Sequence, residues 1–285
     1  MRLDDLRPSQ NVEDRRGAFG GYGPHLAGGG LGLVAIIVIS LLFGVDPSRL
    51  LSGLDTGPQP SQTIGNQTGE GQPNRADNPA YEFARKIIGS AEDVWTPLLQ
   101  AKGVAFTPAT LTVYDVDTPT GCGEGQSAAG PFYCSADDRI YLDLSFFNEL
   151  GERFGAPGEF AQAYVIAHEY GHHIQNLLGV FDRFGGRSSG AESESVRREL
   201  QADCYAGVWA YHANAQFSIL QTGDVEDGLR AASAVGDDTL EKQTQGYAVP
   251  DSFTHGTSAQ RVRWFQRGLK NGDMDACDTF SSPSL

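Results

Sequence analysis

Cationic residues are scarce in this chain: 21 Lys and Arg stand against 36 Asp and Glu, a net charge of −15, and no basic run occurs. Nucleic-acid binders concentrate Lys and Arg to displace counterions from phosphates, so DNA and RNA are not expected partners. Cysteine is limited to Cys122, Cys134, Cys204 and Cys277, with no C-x-x-C pair, and 285 residues with so few cysteines are not a small stapled scaffold. No repeat is visible at periods of 20 to 50 residues, which removes solenoids and propellers. Methionine occurs only at positions 1 and 274. What is present is a composition 40% hydrophobic and 10% aromatic, enough for a real core and one or two domains.

Residues 26–45, LAGGGLGLVAIIVISLLFGV, carry no charge. A helix of that length rises about 30 Å, the thickness of a bilayer core. The run is expected to be an uncleaved transmembrane helix. A signal peptide is the rival, but an arm of residues 1–25 containing four acids precedes the run and no small-x-small cleavage site follows it closely. Arg2, Arg7, Arg15 and Arg16 lie before the run and only Arg49 lies close after it, so the expected location is the cell membrane, single-pass, with the N-terminus cytoplasmic and the rest outside. Disulfides persist there. Three connectivities are open, and Cys122–Cys134 with Cys204–Cys277 is the preferred one.

Residues 46–77 are rich in Pro, Gly, Gln, Asn and Ser, the composition of a flexible linker. The folded domain is expected over 78–285. Residues 78–103 read as one or two amphipathic helices, broken around Gly89 or before Pro97. Two strand-like runs follow at 110–116 and 139–144, separated by a Gly-rich cysteine loop. Beyond them, 157–178, 191–220, 225–235 and 258–269 show apolar recurrence at three and four. The expected class is α+β, helix-dominated, with a small β-sheet from the first half. Phe132, Tyr133, Tyr141, Phe146 and Phe147 are expected in the core instead of a substrate pocket.

Within the helical run 157–178 stands His168-Glu169-Tyr170-Gly171-His172, an H-E-x-x-H. Residues four apart share a helix face, so both imidazoles converge on one point while Glu169 reaches a water held there. Zinc takes nitrogen and carboxylate ligands and, in catalysis, keeps one place open, so a third protein ligand is needed. The extended H-E-x-x-H-x-x-G-x-x-H pattern is excluded, because Gln175 and Leu178 stand where Gly and His would, and no Met-turn exists. Downstream, Glu199 and Asp203 are four apart in an otherwise apolar helix, where an unpaired charge is expensive. Glu199 reads as the third metal ligand and Asp203 as the acceptor behind His168 or His172; the converse is the alternative. Glu192 and Glu194 are rival donors but sit in a Ser-rich helix start, where acids are common. Gly171 suggests a second segment passing close to the motif helix.

The strings GCG, GPFYC, RIYLDLSFF, HEYGHHIQNLLGV, ELQADCYAGVWA and SFTHGTSAQRVRWF, with the Arg-rich start, resemble the bacterial neutral zinc metallopeptidase family over most of the chain. The resemblance implies a zincin-like domain that binds Zn2+ through His168, His172 and Glu199, with Glu169 as catalytic base. Its Glu-x-x-x-Asp is similar to that of the wider Glu-zincin clan. The expected activity is hydrolysis of peptide bonds in a protein or peptide substrate. His255 and Arg261 are candidates to steady the oxyanion, in a loop that resembles the His and Arg region of other membrane-linked Glu-zincins; a helix-entry role for His255 and an ion pair with Asp203 for Arg261 are the competing readings. A non-catalytic zincin-fold binding module and a zinc hydrolase of a cell-wall amide are the functional alternatives. Nothing in the sequence addresses oligomeric state.

Overall fold

The computed structural model describes residues 1–17 and 78–285, so the apolar run 26–45 and the linker 46–77 lie outside the described residues. Among the described residues no helix is long and apolar enough to cross a membrane. Asn78 opens helix α1 (Pro79–Ala101), its side chain accepting the Ala80 and Tyr81 amides while Pro79 sits in the first turn. α1 is one continuous helix, through both Gly89 and Pro97. An interior proline costs about 3 kcal/mol. Ile87, Ile88, Ala91, Val94, Trp95 and Leu99 are nearly inaccessible to solvent, and each large apolar side chain so buried returns about 1.5–3 kcal/mol. Packing therefore outweighs the local preference for a break.

Strand β1 (Val12–Asp14) runs parallel to β2 (Thr110–Tyr114), which runs parallel to β6 (Arg139–Asp143); β5 (Phe132–Cys134) closes the sheet antiparallel to β6, in the order β1-β2-β6-β5. The side chains alternate between two faces. Leu111, Val113, Ile140 and Leu142 enter the main core. Tyr114, Tyr141 and Cys134 form a small cluster of their own, with Phe132 packed on it. The hairpin β3 (Asp117–Thr120) and β4 (Gly123–Gln126) is tied to β5 by the Cys122–Cys134 disulfide. The two strand-like runs are thus paired with each other. The sequence held no signal for β1, because three residues of an Arg- and Asp-rich arm carry no apolar alternation. Residues 1–17, expected as an arm apart from a domain starting at 78, belong to the same compact unit as the domain.

Helices make up the rest: α2 (Phe146–Glu152), α3 (Glu159–Leu177), α4 (Val180–Phe184), α5 (Glu194–Phe217), α6 (Asp224–Ala234), α7 (Asp237–Gln245) and α8 (Ser258–Asn271). α3 is buried along most of its length, packed by α1, α5 and α6. A Cβ at Gly171 would lie 2.9 Å from the Ala202 carbonyl oxygen, so glycine is what lets α5 cross α3 against its backbone. Cys204–Cys277 ties α5 to the C-terminal tail, completing the preferred connectivity.

Candidate metal centre

The close crossing at Gly171 sets the carboxylates of α5 against the imidazoles of α3. His168 and His172 stand a turn apart with ring centroids at 4.8 Å. Their Nε2 atoms face one oxygen, Glu199 Oε2, at 3.2 Å and 3.6 Å. The three donor atoms lie within 4.8 Å of one another. Zinc bonds of about 2.0–2.2 Å at tetrahedral angles separate neighbouring donors by about 3.3–3.5 Å, close to both nitrogen–oxygen distances, and two imidazoles with a carboxylate are a donor set that suits that ion. Burial alone would raise the Glu199 carboxyl, but the imidazoles of His172 and His168 outweigh it and hold the group well below its usual range.

The other nitrogen of each histidine is engaged. His168 Nδ1 lies 2.8 Å from Asp203 Oδ1, and His172 Nδ1 lies 2.8 Å from Gln175 Oε1. As the carboxylate and amide oxygens can only accept, both Nδ1 atoms carry a proton, which leaves Nε2 as the atom each imidazole offers a cation. Burial opposes the charge of His168, but Asp203 and Glu199 outweigh it and raise the group to about 10 in the metal-free protein, so a cation there displaces a proton from Nε2. Gln175 is itself held by donating to the Arg198 carbonyl and the Gln201 side chain. The residue that excludes the extended zinc motif thus orients one of the histidines.

Asp203 is fully buried and surrounded by donors: the Tyr164 hydroxyl at 2.5 Å and Arg261 Nε and Nη2, each at 2.9 Å. Burial opposes its charge, but Arg261 and His168 overcome that and keep the carboxyl below its ordinary value. Arg261 also donates to the Val235 carbonyl at 3.2 Å and is 4% exposed. Of its two readings, the ion pair with Asp203 is the one these contacts show: Nε and Nη2 both lie on that carboxylate, although Arg261 also borders the cleft above it. Tyr164 was not read from the sequence. Its signal was its place one turn before His168, on the same face of α3.

A cleft of about 420 Å³ opens over the cluster. Glu169, 8% exposed, lies in its wall, and burial raises its carboxyl above the ordinary value. His255, half exposed, lines the same cleft, its Nδ1 3.1 Å from Asp237 Oδ1. Asp237 Oδ2 accepts the Thr254, His255 and Gly256 amides at 2.7, 2.7 and 3.0 Å, which fixes the loop. That hydrogen bond to Asp237, the largest influence on the imidazole, raises His255. Thr257 caps α8, with Gln260 completing a capping box, and His255 stands in the loop that enters the helix. Asp237 was missed in the sequence, where it reads as an ordinary acid in a first helical turn.

Phe132, Tyr133 and Phe146 line the cleft together with Phe154, Val165 and Phe181. The first three were expected in the core and do pack against it, but their other side borders the cleft, while Tyr141 and Phe147 are buried as expected. Among the described residues β5 is an edge strand, which leaves one side of it open. His173 and His212 face away, bonded to the carbonyls of Thr107 and Gly272.

The chain is 45% identical over 294 aligned positions to the uncharacterized protein YpfJ of Escherichia coli K12, covering 98% of this chain and 99% of that protein. It is 41% identical over 257 positions to the uncharacterized protein Rv2575 of Mycobacterium tuberculosis H37Rv, covering 86% of each. No solved structure matches it. The family described as "Putative neutral zinc metallopeptidase" matches residues 1–280, and the chain belongs to that family.

Proposed function

We propose that the protein is a zinc-dependent peptidase that cleaves peptide bonds in the cleft over His168, His172 and Glu199. The observation that carries this reading is Glu169 in the cleft wall beside three convergent donors, a position that a purely structural metal site gives no reason to fill with a carboxylate. Bound there, zinc supplies Lewis acidity, bringing the pKa of water toward about 7 and polarising a carbonyl. Glu169 accepts the proton of the attacking water and passes it to the departing amine, a task suited to a carboxyl raised by burial. His255, oriented by Asp237, faces the same space and donates to the oxygen on which negative charge develops.

Substrate class follows from the walls. Val165 stands one turn before Glu169, and Phe146 and Phe154 pack together at 6.2 Å beside it. Such a surface suits a large apolar side chain next to the scissile bond. Among the described residues β5 pairs only with β6, so an extended peptide can align with its other edge.

The test is purified full chain with zinc and a mixed peptide library, beside Glu169→Gln. The expected result is cleavage next to Phe or Leu, and a loss of about 10²–10⁴-fold in the variant with zinc retained. Unchanged turnover in Glu169→Gln would remove the assigned base. Zinc binding without cleavage of any peptide would instead support a non-catalytic module, and cleavage of cell-wall amides alone a different hydrolase.

A further inference from the structure

The arm of residues 1–17 is built into the domain at three independent places. At Gly89 of α1 a Cβ would lie 2.2 Å from the Arg7 carbonyl oxygen, so the helix carries a glycine where the arm's backbone rests on it. Three residues further on, Glu92 is 5% exposed and takes its hydrogen bonds from the arm: Ser9 Oγ at 2.5 Å, Asn11 Nδ2 at 2.8 Å and Arg7 Nη2 at 2.9 Å. A buried carboxylate stripped of such donors is strongly disfavoured. Beyond Asn11 the arm becomes β1, and Leu6 lies in the main core.

Three of the four arginines that suggest a cytoplasmic N-terminus are used in this docking. Arg7 pairs with Asp93 at 2.7 Å as well as with Glu92; Arg15, which pairs with Glu13 inside the arm, donates to the Pro119 carbonyl at 3.1 Å; and Arg16 lies over the Tyr81 ring at 4.9 Å. Glu13 in turn pairs with Arg139 of β6. Their presence before residue 26 has a structural cause and gives no independent vote on orientation.

We infer that residues 1–17 and 78–285 occupy the same side of any membrane the chain meets, because an odd number of crossings between residues 17 and 78 would pull β1 from β2 and leave Glu92 without its donors. The single crossing expected for residues 26–45, with arm and domain on opposite sides, is incompatible with the sheet as formed. The inference is independent of whether the protein is a peptidase.

The test uses the full chain in bacterial spheroplasts, with Asp5→Cys and Gln266→Cys made separately; both positions are exposed, and the four native cysteines are paired. Each is treated with a membrane-impermeant maleimide before and after lysis. The expected result is one pattern for both, either labelled in intact spheroplasts or only after lysis. Labelling of one before lysis and of the other only afterwards would overturn the inference. In the purified full chain, Gly89→Leu is expected to speed tryptic cutting at Arg15, whose amide is bonded to the Val113 carbonyl, at least tenfold; an unchanged rate would show that the arm is not held on α1.

Discussion

Glu199 and Asp203 stand four residues apart on α5 and both meet His168, yet their surroundings differ completely. Glu199 faces the cleft and two imidazole Nε2 atoms, with an open side left to it. Asp203 is sealed, its oxygens taken by Tyr164, Arg261 and His168 Nδ1. The two carboxylates have one chemistry and two roles, and the neighbours that reach each one decide which. A carboxylate saturated with hydrogen-bond donors orients a ligand, and a carboxylate with lone pairs to spare can be one.

The largest contrast should come from truncating each acid in the metal-free protein. Asp203→Ala strands Arg261 as a buried unpaired charge and is expected to cost about 3–5 kcal/mol in denaturant unfolding, against about 1–2 kcal/mol for Glu199→Ala. Equal losses would break the distinction. Next in size, His255→Ala should lower kcat about 10²-fold with zinc content unchanged, and Asp237→Asn should lower it less. If kcat held while only KM rose, His255 would be a substrate contact without a part in charge stabilisation. Gly171→Ala should destabilise by about 1–3 kcal/mol, because its methyl meets Ala202 backbone at 2.9 Å and forces the two carboxylates away from the imidazoles.

The smallest effect is on acid stability. Asp237 is held below its ordinary 3.8, since hydrogen bonds from His255 and the loop amides outweigh the opposing effect of burial. A depressed carboxylate contributes stability that is whole above the unfolded value and lost as pH falls through the folded one. Stability should therefore decline as pH drops below 3.8, and Asp237→Asn should flatten that limb in pH-dependent unfolding.

How much of this was legible depended on whether a signal is local. His168, Glu169 and His172 sit on one helix at fixed spacing, and Glu199 and Asp203 stood out as acids in an apolar helix, so the cluster could be read. Gly171 as a crossing point was readable for the same reason, since a glycine inside a helix needs a cause. The supporting partners were not. Asp237 reaches His255 from another helix, Tyr164 looks like one more core aromatic, and Arg261 offered two roles that only its contacts separate. In the fold, the helical periods and the paired runs of β2 and β6 were visible. The continuity of α1 through Pro97 was hidden, because it comes from tertiary burial of Trp95 and Leu99, and β1 was hidden because its partner is about a hundred residues away.

The central claim is that one cation is held jointly by His168, His172 and Glu199, with Asp203 outside its reach. Elemental analysis of zinc in the purified full chain, wild type beside Glu199→Ala and Asp203→Asn, tests it most directly. One zinc per chain is expected in the wild type, zinc retained with affinity lower by about 10–100-fold in Asp203→Asn, and none in Glu199→Ala. Zinc bound equally by wild type and Glu199→Ala, or lost from Asp203→Asn alone, would contradict it.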